Sequence, residues 1–416
     1  MVRSIVTPAR PTTRLLAMAR CQLIRLAVPA LVVTLLVVMG CGDDAESPTA
    51  PQPALATSAA ATSLVFYQLS ATGFQTCGVT TDHRAYCWGR NDSGELGDGT
   101  TTLRFRPRAV LGGLQFRQVS TNETHTCGVT TDYRAYCWGY NGEGQLGDGT
   151  TTNRPAPVAV LGGMQFVVVD AGELHTCALT YPDRRAYCWG NNPAGNLGDG
   201  TTTRRLRPTA VLGGLHFHVI SAGGDHTCGV TTSDKAYCWG WNRYGQLGVG
   251  TAVAIRLQPA AVAGGHLFHQ IDAGSSHTCA VTTDHRAFCW GYGLLGQLGN
   301  GQTELRFTPS AVAGGLSFDR VSAGSAKTCG ETSSNQAYCW GSSEKGGVGD
   351  GTWKQRLTPA AVAGGLLFGQ VSTGGWHSCG KTLEGVAYCW GWNGFGQLGD
   401  GTTTTRTKPV AVAGPI

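Results

Sequence analysis

The chain has 416 residues, 62 of them glycine, with 14% charged and 8% aromatic side chains. That length allows one large domain or two to three ordinary ones, and the glycine-rich, charge-poor profile fits a turn-rich all-β protein and argues against a helical or disordered one. The net charge of +5 hints at nucleic acid, but residues 1–40 hold Arg3, Arg10, Arg14, Arg20 and Arg25 and no acid, and without those five the basic and acidic residues are equal at 26 each. A neutral remainder has no electrostatic footprint for DNA or RNA, so nucleic acid is excluded as a partner.

In chain order, residues 1–40 read as a signal peptide. A basic lead-in precedes "IRLAVPALVVTLLVVMGCGDD", an apolar run of roughly a dozen residues with a small residue before Cys41, which is too short for a spanning helix. The stretch "VVMGC" resembles a bacterial lipobox, whose cysteine is acylated and becomes the mature N-terminus. Met39 departs from it, since that position usually carries a smaller residue; an ordinary cleaved signal or an uncleaved anchor is the alternative. Cys41 is thus the expected lipid attachment, and the long lead-in points to Met18 as the start. Residues 41–63, rich in Ala, Ser, Thr and Pro, form a flexible tether that as a coil spans on the order of 25 Å.

From residue 64 the chain repeats itself. The cysteine pairs are Cys77–Cys87, Cys127–Cys137, Cys177–Cys188, Cys228–Cys238, Cys279–Cys289, Cys329–Cys339 and Cys379–Cys389, with first members 50 or 51 residues apart. A fixed period of that size signals a propeller or solenoid. Each unit carries P-x-A-V, G-G-x-x-F-x-x-V-S-A-G, H-T-C-x-V-T, a polar turn, A-Y-C-W-G and G-Q-L-G-D-G-T. Four short strands per unit predict an all-β, seven-bladed β-propeller over residues 64–416. The chain begins this region on "LVFYQLS" and ends it on "KPVAVAGPI", a split that predicts that the strand at 409–412 completes the blade begun at 64–70 and closes the ring.

"AYCWGYNGEGQLGDG" (135–149) and "AYCWGWNRYGQLGVG" (236–250) resemble the repeats of the regulator of chromosome condensation family, which implies seven blades of about fifty residues. The resemblance covers nearly everything after residue 63. Blade 6 departs most, with "GGVG" at 346–349 and Ser343 where Asn is usual.

Every cysteine beyond Cys41 has a partner within its own unit, as expected of disulfides in an exported protein. A two-residue turn at Asp132 and Tyr133 would set Cys127 opposite Trp138, so the disulfide requires an odd loop ending on a residue at positive φ. That position holds His83, Tyr133, Asp183, Asp234, His285, Asn335 and Gly385, and "YPDRR" lengthens the loop of blade 3 by one. The rival reading is metal binding through His125, Cys127 and Cys137 and their equivalents. Against it, Gln75 and Lys327 replace the histidine in two blades and no C-x-x-C spacing occurs. No metal and no cofactor are expected, and the histidines are expected to be hydrogen-bonded strand residues.

Seven tryptophans belong to C-W-G and are expected wedges between blades, whereas Trp241, Trp353, Trp376 and Trp392 are not required by the repeat. The turn after F-x-x-V and the loop after C-W-G share one end of each blade, the top. There lie Phe74, Tyr140, Trp241, Tyr244, Tyr292, Trp376, Trp392 and Phe395, with Glu123, Glu173 and Asp225. An aromatic, partly acidic rim is a candidate protein-binding face. The bottom turns carry Arg84, Arg134, Arg184, Arg185, Lys235 and Arg286, a candidate contact with lipid headgroups.

The reading is therefore a monomeric protein-interaction module, exported and held at the cell envelope through an N-terminal lipid, or else secreted. The resemblance allows two others: the guanine nucleotide exchange and chromatin binding of the founding member, or an enzyme with an axial site. The signal, the paired thiols and the neutral mature charge oppose the first. No Ser/His/Asp order, phosphate loop or set of convergent carboxylates supports the second, and the D-G-T stretches read as turns.

Overall fold

A computed structural model describes residues 64–415; the signal, the tether and Cys41 lie outside the described residues. Among the described residues are twenty-eight strands and no helix. They form seven four-stranded antiparallel sheets, each contiguous in sequence. In the first blade β1 (Phe66–Thr72), β2 (Gln75–Thr80), β3 (Ala85–Gly89) and β4 (Arg104–Ala109) lie in that order from the axis outward. The middle strands are buried along their whole length, while β4 is largely exposed.

The F-x-x-V spacing has a geometric cause. A strand places i and i+3 on opposite faces, yet Phe66 and Leu69 are both buried in the same core. A register shift between Phe66 and Gln68 reconciles the two, and the equivalent irregularity recurs in every blade. The bulge turns both apolar side chains toward one neighbour.

The core is seven separate clusters, one per seam. In the first, Cys77, Val79, Ala85, Cys87 and Leu96 of blade 1 meet Phe116, Val119 and Trp138 of blade 2. The Ala and Cys face of each C-W-G hairpin thus receives the Trp and Phe face of the next blade. All seven C-W-G tryptophans are fully buried, and each indole N–H needs an acceptor. Trp138 Nε1 donates to the Glu95 carbonyl at 3.0 Å, and the Thr126 hydroxyl donates to that same oxygen at 2.8 Å. The approach leaves no room for a side chain beside the ring: a Cβ on Gly147, at φ 68°, would stand 2.7 Å from Trp189 Nε1.

Each cysteine pair occupies directly opposed positions and is bonded, with Cα atoms 4.0–4.1 Å apart. The loop is the odd one the pairing demands, and Tyr133 takes φ 67°. Blade 3 differs from the sequence expectation. There Arg184, not Asp183, has positive φ, because the inserted residue moves the left-handed position one step along the chain.

Ring closure also differs. The last strand, Arg406–Ala411, pairs with Ala387–Gly391 of its own blade, Tyr388 facing Ala411, and not with the blade begun at 64–70. P-x-A-V is the fourth strand of a unit rather than its first, so no blade is split between the termini. The last seam is instead closed by the bonds used at the others. Trp88 Nε1 and the Thr76 hydroxyl both donate to the Gln397 carbonyl at 2.9 Å, and Phe66 N donates to Gly385 O at 2.8 Å.

Seven disulfides predict that intact mass rises by fourteen hydrogens on full reduction; an unchanged mass would exclude the bonds. Trp290→Ala empties a seam and is expected to cost about 3–5 kcal/mol in denaturant unfolding. Trp353→Ala, at a side chain 56% exposed, is expected to stay within about 0.5 kcal/mol.

Candidate functional site

Around the axis, the residue after F-x-x-V forms a ring of Ser70, Ser120, Asp170, Ser221, Asp272, Ser322 and Ser372. Each accepts the backbone N–H of the residue just after the equivalent ring position on the inner strand of the next blade, as where Thr121 N donates to Ser70 Oγ at 3.1 Å and Ala222 N to Asp170 Oδ2 at 2.7 Å. The ring runs unbroken through the closing seam, where Ala71 N donates to Ser372 Oγ. Asp170 also accepts from Ser120 Oγ at 2.7 Å, and Asp272 from Ser221 Oγ at 3.0 Å. Burial pushes both carboxyls up, Asp170 to about 7, against the lowering effect of these bonds. A polar cavity of about 140 Å³ lies above the ring, with Glu123 and Glu173 in its wall. Burial raises both of these acids as well, and for Glu173 the nearby Glu123 and Asp225 add to the effect.

The histidines before T-C form a ladder between blades. His226 Nε2 lies 2.9 Å from Thr278 Oγ1, and the same contact joins His125 to Thr176, His175 to Thr227, His277 to Thr328 and His377 to Thr76. Each threonine hydroxyl already gives its proton to a carbonyl, as Thr278 does to Gln246 O at 2.8 Å. The imidazole must therefore donate through Nε2–H, leaving Nδ1 unprotonated. Burial then holds all five well below the usual range, His175 at about 4 and the others at about 3; neighbouring histidines lower His125 and His226 further, and Lys327 does so for His377. They are structural groups, as expected from sequence. Among the described residues no group of three or more His, Cys, Asp or Glu is placed to hold a metal ion.

Blades 1 and 6 fill the ladder differently. Gln75 Nε2 donates to Thr121 Oγ1 at 3.0 Å. Lys327 Nζ donates to the carbonyls of Gly374 and Gly375 at 2.8 and 3.2 Å, and burial lowers its pKa to about 7. The glycine at 347, one of the departures in "GGVG", has its Cα beside this chain: a Cβ there would lie 3.0 Å from Lys327 Cε.

Of the rim aromatics, six assemble into two groups. Phe74 of blade 1 meets Trp392 and Phe395 of blade 7 edge-on, with ring centres 5.5 and 5.6 Å away, across the closing seam. Trp241 and Tyr244 of blade 4 and Tyr292 of blade 5 form the second group, at 5.3 and 5.2 Å. All six are half-buried. Tyr140 and Trp376 belong to neither group, and Trp376 is 36% exposed. At the bottom, Asp82, Asp132, Asp183, Asp234 and Asp284 share the turns that carry the basic residues. Arg134 and Arg286 pair with Asp132 at 3.4 Å and Asp284 at 3.9 Å, so this face is less basic than its arginines alone imply.

Sequence reading missed the axial aspartates. The available signal was the column after F-x-x-V, where two acids interrupt five serines. The D-G-T aspartates are turns, as expected, and also anchor the outer strand: Asp98 accepts from Thr100 N at 3.0 Å and pairs with Arg104 at 2.7 Å.

Fold and seams define a seven-bladed propeller whose scaffold is uniform and whose loops vary. Its family follows from comparison with known proteins. Residues 36–369 match the RCC1-like domain, and residues 370–397 and 384–416 match regulator of chromosome condensation (RCC1) repeats. The chain belongs to the RCC1-like family. It is 33% identical over 120 residues to the ultraviolet-B receptor UVR8 of Arabidopsis thaliana, a stretch covering 28% of this chain and 27% of that one. It resembles Prp20p of Saccharomyces cerevisiae with TM-score 0.71 and 20% identity, covering 84% and 87% of the two chains. Human WBSCR16 gives TM-score 0.69 and 20% identity, covering 76% and 86%. These structural likenesses establish the fold alone.

The ladder generates a pH prediction. Histidines with lowered folded pKa contribute stability that is fully present above about 6.5 and is lost as pH falls toward 4 and 3. The carboxyls raised by burial, Glu95, Glu123, Asp170, Glu173, Asp225, Asp272 and Glu331, act in the opposite direction, so the histidine contribution is read as the difference between a histidine variant and the wild type. His226→Gln, the residue type blade 1 uses, is expected to flatten the loss of stability between pH 6.5 and 4 by up to about 1.4 kcal/mol per pH unit. Denaturant midpoints across that range would measure it, and an unchanged slope would contradict the account.

Proposed function

We propose that this protein is a protein-interaction module of the cell envelope, exported and held by an N-terminal lipid on Cys41 or secreted, that engages its partner through the top loop face. The carrying observation is that rings from distant parts of the chain, none required by the repeat, gather into two half-exposed clusters on that face. Half-buried Trp and Tyr beside acidic groups match the composition of protein-binding hot spots. The RCC1-like fold supports the reading in general terms, because Prp20p is described with binding to Gsp1p and histones. Seven disulfides favour an oxidising compartment, which argues against a nuclear exchange function for this chain. Among the described residues no helix is long and apolar enough to cross a membrane. Catalysis of its own is not part of the proposal.

Cross-linked capture from native envelopes tests the face. Trp241→Ala with Trp392→Ala is expected to abolish specific partners while leaving the disulfides and thermal unfolding nearly unchanged. Partners that persist in this variant would remove the top face from consideration. Separately, Cys41→Ser is expected to move the protein from the membrane fraction to the soluble one; unchanged partitioning would exclude the lipid.

A further inference from the structure

One bottom-face sector departs from the repeat in several positions at once. Blade 3 has Tyr181 in its hairpin turn where five other blades have Thr or Ser, followed by the inserted Pro182. Tyr181 is 44% exposed and stacks on Tyr133 of blade 2, with ring centres 4.2 Å apart and planes 14° from parallel. The Arg117 guanidinium lies 4.7 Å from the same Tyr133 centre. Arg117, Tyr133 and Tyr181 therefore form one contiguous stack about the Tyr133 ring.

Beside the stack is a cavity of about 260 Å³ that Val167 and Val168 also line, with Arg184 and His218 on its rim. Val168 stands where Gln118 of blade 2 clips the next blade by donating to Val169 O at 2.8 Å. The floor is therefore apolar where most inner strands present an amide. Arg134 and Arg286 are paired with acids of their own turns, whereas neither Arg117 nor Arg184 has an ion-pair partner among the described residues. The site combines an exposed flat ring, an apolar floor and two guanidinium groups without carboxylate partners.

We propose that this cavity binds a saccharide ring bearing a carboxylate or phosphate. A pyranose has an apolar C–H face that packs on a tyrosine while its hydroxyls stay in water, which suits a cavity open to solvent. The arginines suit an anionic substituent, which guanidinium binds through paired N–H donors. The volume is below the roughly 300 Å³ at which drug-sized pockets begin, so a single ring is the natural unit. The site is at the opposite end of the blades from the aromatic rim and does not depend on that face's role.

Calorimetric titration of the oxidised full-length protein with trigalacturonate, glucose 6-phosphate and neutral maltotriose tests this, the first two probes separating carboxylate from phosphate. At least one anionic saccharide is expected to bind, with maltotriose roughly tenfold weaker or more. Tyr181→Ala and Arg184→Glu are each expected to weaken binding by roughly tenfold, while Tyr181→Phe retains it. Both positions are exposed, so intact mass and thermal unfolding can verify the fold of each variant. No saccharide binding, binding equal for the neutral probe, or affinity unchanged in Tyr181→Ala and Arg184→Glu would overturn the proposal. Binding only to anionic phospholipid vesicles would overturn it too.

Discussion

One carbonyl oxygen per blade holds this ring together. In the loop after C-W-G, the backbone oxygen of Gln397, Glu95, Gln145, Asn196, Gln246, Gln297 or Gly347 accepts from both the indole N–H and the Thr or Ser hydroxyl of the following blade. The bond satisfies a buried indole that would otherwise be costly to bury. It also fixes the hydroxyl's proton, which in turn forces the histidine tautomer on five seams. Because the acceptor is backbone, the side chain at that position is free to vary, and blade 6 places glycine there without losing the joint.

The same economy explains why ring closure needs no exchanged strand. Each seam combines an apolar cluster, the shared carbonyl and the axial ring, and the seam between blades 7 and 1 contains all three. Gln370 adds its amide clip there, donating to Leu69 O and accepting from Leu69 N at 2.9 and 3.0 Å. Disulfides complete the design by fixing each hairpin whose Ala and Cys face forms half of a seam. Their loops are short, so their contribution to stability is bounded at about 2–3 kcal/mol each on a chain-entropy basis.

A scaffold this uniform makes its exceptions informative. On the top face the exceptions are aromatic; along the axis they are Asp170 and Asp272; on the bottom they are Tyr181, Pro182 and Val168. Lys327 and Glu331 mark the seam between blades 6 and 7, where Glu331 Oε2 accepts Val371 N at 3.2 Å in the place an amide clip would serve. Lysine in a histidine column and glutamate in a mainly aliphatic one are tolerated because each finds backbone partners across the seam.

The period of about fifty residues, the strand patterns and the cysteine spacing determined the propeller, its seven hairpin disulfides and the burial of the C-W-G tryptophans, since the hairpins are contacts within a unit and the same apolar tryptophan face recurs in every unit. The tertiary structure alone decided how the ring closes, which blade-3 residue takes positive φ, and which rim aromatics meet. It also decided that the axial acids sit among serine hydroxyls and that Tyr133 stacks on Tyr181. The reason is the distance along the chain: Thr76 and His377 are 301 residues apart, and most seam contacts join residues about fifty apart. A repeat motif reports what one blade requires of itself. What adjacent blades require of each other depends on pairs of columns brought face to face, and only the closed ring makes those pairs visible.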